Sequence, residues 1–395
     1  MNKTDEEKLW EWNNEQANIF IVNDIFLVIY LLLGILGNAV VIVVYCFKMK
    51  KRRGDRFFIP YLAVVDLLAC TTRSSFELAM NLLPVNFRGS ILCKVLWFPI
   101  NVTSFSSMFL LLTISLQRYL KVCRPFGKQM TLRWKRGALG LTLFMSVALS
   151  MPLNIWNDEI PVRNKELNIT GYMCDARLEG NLGAGFIIFV VCITALALII
   201  MFGMIIFNSL IGRTIYIQLK LERKRQEQVE LIRHRQAVSK RAKTAIPIHV
   251  SANSEYLTPS VVTIEESSTS INEKSSSKLD KGDEFLTPKQ REKHAKKRML
   301  SSHRYSYMFM VIALAFMLSY LPQFILLFIG IGDTMFWVNR TKIELSLFSF
   351  IREMNVINNI VNPFVYGFFD QHFRQETQKL LNICKCWLNV CFLPK

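Results

Sequence analysis

The chain has 395 residues, of which 51% are hydrophobic, and a formal net charge of +18. Its mean hydropathy is +0.26, and the apolar residues are concentrated in runs long enough to cross about 30 Å of hydrocarbon. The basic residues are concentrated in the loops between these runs. A face against acidic lipid therefore explains the charge, and nucleic acid is not expected as a partner.

Seven apolar runs predict membrane-spanning segments. A segment surrounded by hydrocarbon must satisfy its own backbone hydrogen bonds, so each run should be a helix. The predicted fold class is an all-α membrane protein, a seven-transmembrane helix bundle. The runs cover residues 24–47, 57–83, 91–122, 137–157, 182–212, 304–331 and 343–369.

The segments outside these runs predict the orientation in the membrane. Residues 1–23 are polar and acidic and lack the pattern of a secretory signal peptide, so the first run is expected to be its own signal anchor. The connections after the first, third and fifth runs are rich in Lys and Arg, which places them in the cytoplasm. We therefore predict a multi-pass protein of the plasma membrane with an extracellular amino terminus.

Glycosylation sequons agree with this topology. Those at Asn2, Asn168 and Asn339 fall on predicted outer segments, whereas the sequon at Asn101 lies within the third run, where no transferase could reach it. We therefore predict glycosylation of the three outer asparagines.

The cysteines agree as well. Of nine cysteines, only Cys93 and Cys174 lie on the predicted outer side, and an oxidising compartment would pair them. This disulfide would tie the outer end of the third helix to the connection between the fourth and fifth helices.

The seventh run contains an unusual element, Asn362-Pro363, followed one turn later by Tyr366. A proline inside a helix costs about 3 kcal/mol, and a buried amide is costly unless it finds a partner. This combination predicts a hinge or a polar site within the membrane.

Several short motifs occur in an order and spacing typical of one receptor family. They are Gly37-Asn38, Leu62-Ala63-x-x-Asp66, Gln117-Arg118-Tyr119, Phe316 with Pro322, Asn362-Pro363-x-x-Tyr366, and Phe373. The chain thereby resembles the rhodopsin-like G-protein-coupled receptors over its whole length except the long inner loop. The resemblance implies a receptor that binds an extracellular ligand and activates heterotrimeric G proteins by outward movement of its sixth helix.

The resemblance also assigns roles to residues at the inner ends of the helices. It implies coupling to the G protein through Arg118, Tyr119, Phe126 and Tyr366, and hinges at Pro322 and Pro363. Asp66, Ser107, Asn358 and Asn362 would converge on a hydrated pocket that can hold an allosteric sodium ion. The alternative is a structural hydrogen-bond cluster without an ion. No other cofactor is expected.

The chain departs from the family pattern in several places, among them the missing proline of the fifth run and the missing tryptophan of the fourth. Gln117 stands where an acidic residue usually adjoins the arginine, Tyr320 where tryptophan is usual, and Asn208 where tyrosine is common. These departures predict a loosened restraint on Arg118 and raised basal activity, or an altered switch.

The ligand class follows by exclusion and by further resemblance. Val356 occupies the position of the lysine that holds retinal in opsins, and Ile100 occupies the position of the aspartate that binds the ligand in receptors for small amines. The segment from Asn208 to Arg213 is similar to that of ghrelin, motilin and thyrotropin-releasing-hormone type receptors. These features favour a neuropeptide or peptide hormone as ligand. A non-peptide ligand or a non-signalling scavenging receptor is the alternative.

Polar residues in the outer halves of the runs are candidates for the ligand pocket. Arg73 and Glu77 are one helical turn apart and share a face. The alternative to ligand contact is an internal Arg–Glu brace between the second and seventh helices. The predicted pocket residues are Arg73, Glu77, Asn101, Ser104, Tyr320, Gln323 and Arg352.

Residues 213–303 form a long cytoplasmic loop that is expected to be largely disordered, because its middle is poor in aliphatic residues. A repeated pattern at 255–259 and 284–288 predicts proline-directed phosphorylation of Thr258 and Thr287, with docking sites as the alternative. Arrestin and receptor kinases are expected partners of this loop.

Residues 370–395 form the predicted inner tail. Residues 372–381 predict a short amphipathic eighth helix on the membrane surface. Cys384, Cys386 and Cys391 then predict palmitoylation and contact with membrane lipid, unless they are plain reduced thiols.

Two other classes are not favoured. No nucleophile–base set or histidine cluster indicates an enzyme, and all five histidines lie on the predicted cytoplasmic side. A transporter would more often show paired repeats with broken helices, which the sequence does not display.

Overall fold

The computed structural model describes residues 4–48, 54–177, 180–244, 288–332 and 341–392. Two strands accompany the helices. The elements are α1 (Asp5–Ala17), α2 (Ile21–Val43), α3 (Ile59–Leu82), α4 (Ser90–Cys123), α5 (Leu132–Trp156), β1 (Asn157–Asn164), β2 (Ile169–Ala176), α6 (Gly180–Thr244), α7 (Pro288–Gly332), α8 (Lys342–Glu353), α9 (Ile357–Phe369) and α10 (Gln371–Phe392).

The chain divides into two compact units. One comprises Met1–Thr214 with Ser301–Lys395, and the other Ile215–Leu300. The second unit contains the distal part of α6 and the beginning of α7.

All seven predicted runs are helical, which confirms the predicted helix bundle. Among the described residues, five helical stretches are long and apolar enough to cross a membrane: Asp5–Lys48, Ser90–Cys123, Leu132–Trp156, Gly183–Val238 and His303–Ile329. The second and seventh runs fall outside this set. The second carries three charged residues along α3, and the seventh is divided into two short helices, α8 and α9.

The division of the seventh run was not predicted. A single 3₁₀ turn, Met354–Val356, separates α8 from α9, whereas the helix continues through Pro363. The carbonyl oxygen that Pro363 cannot serve belongs to Asn359, and the Asn38 side-chain amide donates a hydrogen bond to it at 2.9 Å. Because this buried carbonyl finds a substitute donor, the proline does not interrupt α9.

Small residues bring α2 close to its neighbours. A Cβ atom added to Gly37 would lie 2.9 Å from Cγ of Pro363, and one added to Gly34 would clash with Cys70 of α3. The Gly37-Asn38 motif therefore serves both the close packing and the hydrogen bonding of α2 against α9.

One end of the bundle, which we call the hairpin end, is covered by β1 and β2. These strands pair antiparallel in the register Asn157↔Ala176 to Asn164↔Ile169. A disulfide joins Cys93 of α4 to Cys174 of β2, with the Cα atoms 5.6 Å apart, and confirms the predicted pair. The hairpin itself was not predicted within an all-α fold.

Helix α1 also lies at the hairpin end. Thr4 and Glu7 form a reciprocal capping box at its start. The buried Asn13 amide donates to the carbonyl oxygen of Leu82 at 3.0 Å, and its side-chain oxygen accepts from the Val85 N–H at 3.4 Å. These contacts dock a polar segment against the end of α3, an arrangement that the sequence did not reveal.

The opposite end carries α10, and we call it the α10 end. Helix α10 extends from Gln371 to Phe392 and is longer than the predicted 372–381. Phe373 is buried against Tyr45 and Tyr366, with ring centroids 5.6 and 6.3 Å away. The start of α10 is thereby fixed to α9 and to the helical turn Val44–Lys48 that follows α2.

Candidate functional site

A cavity of about 430 Å³ lies at the hairpin end. Residues of α3, α4, β2 and α8 line it, together with Phe20 from the turn between α1 and α2. Two of the predicted ligand contacts, Glu77 and Arg352, are among its lining residues.

Glu77 is the centre of a small ion-pair network beside the cavity. Its side chain is only 6% exposed; Oε2 lies 3.2 Å from Arg352 Nη2, and Oε1 lies 3.8 Å from Arg73 Nη1. Burial of a carboxylate requires such partners. The network joins α3 to α8, which is the brace considered as the alternative to ligand contact, and it also faces the cavity.

Two further carboxylates surround Arg352. The Glu353 side chain is buried, and its Oε1 accepts a hydrogen bond from Ser349 Oγ at 3.2 Å. Asp175 on β2 keeps access to water at the cavity. The pKa of Asp175 is nevertheless raised above its usual value, chiefly because burial disfavours the charged form. Nearby Glu77 raises this pKa further, whereas Arg352 lowers it.

The other five predicted contacts do not line this cavity: Arg73, which reaches it only through Glu77, and Asn101, Ser104, Tyr320 and Gln323. The Ser104 hydroxyl donates to the carbonyl oxygen of Ile100 at 2.8 Å, within its own helix. Gln323 accepts a hydrogen bond from Asn355 at 2.5 Å and so links α7 to the turn between α8 and α9.

A polar cluster lies in the core, centred on the fully buried Asp66. Asn362 Nδ2 donates to Asp66 Oδ2 at 2.6 Å, and Ser107 Oγ donates to Oδ1 at 3.4 Å. Asn358 does not contact Asp66 through a hydrogen bond; its amide donates instead to Asn359 Oδ1 at 3.2 Å. Three of the four predicted residues are thus joined directly.

The same cluster contains oxygen atoms available to a ligand. The side-chain carbonyl oxygens of Asn358 and Asn362 are buried and have no hydrogen-bond donor among the described residues. Together with the Asp66 carboxylate and the Ser107 hydroxyl they supply only oxygen donors, which are the ligands that hard cations prefer. The donor set therefore fits a sodium ion.

The predicted coupling residues lie at the α10 end. Arg118 is 1% exposed, with its guanidinium carbon 4.7 Å from the centre of the Phe309 ring. Tyr366 is fully buried, whereas Phe126 is fully exposed. Tyr119 packs on Phe207 of α6, with the two ring centroids 5.3 Å apart. Arg118 is therefore covered by α7 in this conformation.

The departures from the family pattern have defined partners. Gln117 Nε2 donates to the carbonyl oxygen of Gly54 at 3.1 Å. Asn208 Nδ2 donates to Met204 O at 2.9 Å and to Ser115 Oγ at 3.3 Å, joining α6 to α4. Tyr320 packs on Phe316, with the ring centroids 4.5 Å apart and the rings tilted by 33°.

The sequence pattern of the family described as "7 transmembrane receptor (rhodopsin family)" matches residues 37–366. The chain belongs to this family. It is therefore a multi-pass membrane receptor, and membership of a receptor family agrees with the expectation that it is not an enzyme.

Similar proteins include cholecystokinin receptors of types A and B. Cholecystokinin receptor type A of Mus musculus is 31% identical over 166 residues, which are 42% of this chain and 36% of that receptor. Gastrin/cholecystokinin type B receptor of Rattus norvegicus is 25% identical over 359 residues, which are 87% of this chain and 75% of that receptor. The matched part of this chain thus spans only 36% of the length of the type A relative.

The crystal structure of squid rhodopsin resembles the receptor in fold. It aligns with a TM-score of 0.62 at 17% sequence identity and covers 96% of this chain and 84% of that one. At this identity the likeness supports the fold alone. The likeness of residues 208–213 to ghrelin-type receptors remains a prediction.

Sequence reasoning missed a second ion pair of the receptor. At the α10 end, Arg56 Nη2 lies 3.0 Å from Asp370 Oδ1, and both side chains are buried. Tyr45 donates a hydrogen bond to Asp370 Oδ2 at 2.7 Å, and Arg56 donates to the hydroxyl of Tyr305 on α7. The available signal was a pair of opposite charges at the boundaries of the second and seventh runs.

The predicted modification sites of the receptor are only partly described. Asn168 is exposed in the hairpin turn, with a positive φ of 51° and a side-chain oxygen that accepts from Arg163 at 3.1 Å. Asn2, Asn339, Thr258 and Thr287 lie outside the described residues, as do the side chains of Cys384, Cys386 and Cys391.

Proposed function

We propose that this receptor binds an extracellular peptide at the hairpin end and activates a heterotrimeric G protein at the α10 end, in the plasma membrane. The observation that carries this proposal is the cavity at the hairpin end, where the Arg352–Glu77 ion pair joins α3 to α8. The similarity to cholecystokinin receptors supports a peptide as ligand. The basic loops support a cytoplasmic α10 end.

The connection between the two ends follows one helical path. Arg352 lies in the last turn of α8, the turn Met354–Val356 follows, and α9 then carries Asn362 and Tyr366. A ligand that binds better when the Arg352–Glu77 pair is opened shifts the population of conformations, and the G protein reciprocally tightens ligand binding. Outward movement of α7 would uncover Arg118 from Phe309.

We further propose that Asp66, Ser107, Asn358 and Asn362 hold a sodium ion. When bound, the ion supplies positive charge beside the buried carboxylate and stabilises the arrangement in which Asn362 and Asp66 are joined. The test is the unfolding temperature of the purified receptor in sodium chloride and in choline chloride. A higher temperature in sodium that Asp66→Asn abolishes is expected; identical values for the unaltered receptor would refute the site.

The partners on the cytoplasmic side are proposals as well. Arrestin and receptor kinases would engage the loop of residues 213–303, and acylated Cys384, Cys386 and Cys391 would contact lipid. Deletion of residues 251–290 should abolish arrestin recruitment without loss of nucleotide exchange. Persistent recruitment would contradict this assignment.

The principal experiment is nucleotide exchange on purified G proteins, stimulated by a peptide library, with the full-length receptor in lipid nanodiscs. A peptide that accelerates exchange supports the proposal.

The second candidate function is that of a scavenging receptor. The observation that favours it is that Gln117 stands where the family usually has an acidic residue, and that its side chain donates a hydrogen bond to Gly54. Saturable peptide uptake by cells without exchange on any G protein would select that candidate.

A further inference from the structure

The cavity at the hairpin end has more carboxylates than guanidinium groups within reach. Arg352 and Glu77 line it, and Arg73 reaches it through Glu77. Asp175 also lines it, and Glu353 lies beside Arg352 and Glu77. Asp24 accepts a hydrogen bond at 2.8 Å from Asn81, a further lining residue. The titratable groups around the cavity are therefore the carboxylates Asp24, Glu77, Asp175 and Glu353 and the guanidinium groups Arg73 and Arg352.

One carboxylate in this group has an oxygen without a partner. Glu353 is 1% exposed, and its Oε2 receives no hydrogen bond from the described residues, whereas Oε1 is bonded to Ser349. A buried carboxylate oxygen without a donor is costly. Glu353 does not itself line the cavity, but it lies beside Arg352 and Glu77, which do, and so adds a carboxylate to their surroundings.

The walls of the cavity also suit a cationic group. Phe76 and Trp97 lie edge to face with their ring centroids 5.1 Å apart, and Phe20 contributes a third ring to the lining. The faces of aromatic rings attract cations, most strongly at sites removed from water. Aromatic walls beside an excess of carboxylates favour a guanidinium or ammonium group.

The geometry points to a cation subsite in this cavity: a guanidinium or ammonium group of the ligand replaces Arg352 on Glu77. This inference rests on the proposed function only in taking the cavity as the ligand site, and it deepens that proposal by naming a basic peptide as the ligand class. The side chain of Arg352 is 46% exposed while that of Glu77 is 6% exposed, so Arg352 can withdraw into the cavity or solvent while Glu77 remains in place.

An anionic ligand group would meet the opposite situation. To reach Arg352 it would approach Glu77, Asp175 and Glu353, and each like charge at close range opposes its entry. It would also leave Glu77 with Arg73 alone, at the longer distance of 3.8 Å. The cavity is therefore less suited to an anionic group than to a cationic one.

The test uses two probes of nearly equal shape, Nα-acetyl-arginine amide and its neutral counterpart Nα-acetyl-citrulline amide. Their binding to the full-length receptor in nanodiscs is measured by calorimetry up to millimolar concentration. We expect the arginine probe to bind at least tenfold more tightly than the citrulline probe. Glu77→Gln and Asp175→Asn should each reduce this preference several-fold, and Arg352→Gln should increase the affinity for the arginine probe.

Glu166→Gln is the matched control, since it removes one carboxylate from the exposed hairpin turn, outside the cavity lining. Its arginine preference should equal that of the unaltered receptor. Asp175→Asn keeps the inference testable if Glu77→Gln fails to fold, because a neutral amide at this water-accessible position of β2 should not impair folding. Equal affinity for both probes, no binding of either, or tighter binding of Nα-acetyl-aspartate amide would each overturn the subsite.

These outcomes are separate from those of the exchange assay. A receptor that responds only to peptides without Lys, Arg or a free amino group keeps its proposed function and loses the cation subsite. A receptor that prefers the arginine probe but activates no G protein with any peptide keeps the subsite and loses the signalling proposal.

Discussion

The Asn38 amide occupies the place of the backbone donor that Pro363 lacks: it donates at 2.9 Å to the carbonyl oxygen of Asn359, and at 3.0 Å to that of Gly34. Asn38 is fully buried, so this pairing links α2 to α9 without water. The most unusual element of the seventh run is thereby held in a continuous helix.

Asn38→Ala should therefore destabilise the receptor by about 1–3 kcal/mol, the usual cost of leaving a buried polar group without its partner. In Pro363→Ala the alanine N–H can restore the helical hydrogen bond to Asn359. The double variant should lose less stability than the sum of the two single variants, as measured by thermal unfolding in detergent. Strict additivity would show that Asn38 does not serve this carbonyl.

Gly37→Ala tests the close approach of α2 and α9. The added methyl group would lie 2.9 Å from Cγ of Pro363, and overpacking of this kind typically costs about 1–3 kcal/mol. Gly137→Ala in α5 is the matched control, because nothing lies within 4 Å of the added atom there. The control should leave the unfolding temperature unchanged or raise it; an equal loss in both variants would contradict the packing argument.

Arg352→Ala should abolish the ligand-dependent increment of nucleotide exchange while surface expression remains normal. Without Arg352 the ion pair to Glu77 is already absent, so binding of an agonist has no pair left to open. Exposed Lys165 in the hairpin turn supplies the control variant, Lys165→Ala, which should respond normally. An unchanged response of Arg352→Ala would remove this residue from the switch.

Tyr305→Phe should raise basal nucleotide exchange by roughly tenfold, because a hydrogen bond to a charged group contributes about 1.5–3 kcal/mol. Arg56 is held by Asp370 at 3.0 Å and donates to the Tyr305 hydroxyl, so it holds the beginning of α7 against the α10 end. Partly exposed Tyr307 is the control, and Tyr307→Phe should not change the basal rate. Equal basal rates in both variants would refute this restraint.

Asp175→Asn should raise the unfolding temperature at pH 7 and have little effect near pH 4. The pKa of Asp175 is higher in the folded receptor than in the unfolded chain, so the folded state binds the proton more tightly. The charged carboxylate therefore costs stability above its folded pKa, and this cost disappears as the pH falls through that value. Thermal unfolding of the variant and the unaltered receptor at both pH values measures this cost. A lower unfolding temperature of Asp175→Asn at pH 7 would contradict the prediction.

The helix bundle and the disulfide could be predicted because both leave local or countable signals. Apolar runs of membrane length predict helices wherever they occur. Cys93 and Cys174 were the only cysteines on the predicted outer side. Similarly, the motif positions of Asp66 and Asn362 indicated a shared polar core, and the structure joins them at 2.6 Å.

The remaining contacts depend on pairings between distant parts of the chain. Arg56 and Asp370 are 314 positions apart, and no periodicity within either segment indicates that they meet. The interruption at Met354–Val356 was missed for a related reason, since Pro363 was the stronger local signal for a break. Its effect is removed by Asn38, a residue of another helix.

The hydrogen bond between Asn38 and Asn359 also sets a condition on how this receptor can diverge. As long as position 363 is proline, an apolar residue at position 38 leaves a buried carbonyl without a donor. Once position 363 regains an N–H, the asparagine loses that role. Among descendants of this sequence we therefore expect asparagine at position 38 to be replaced only where proline at position 363 has already been replaced.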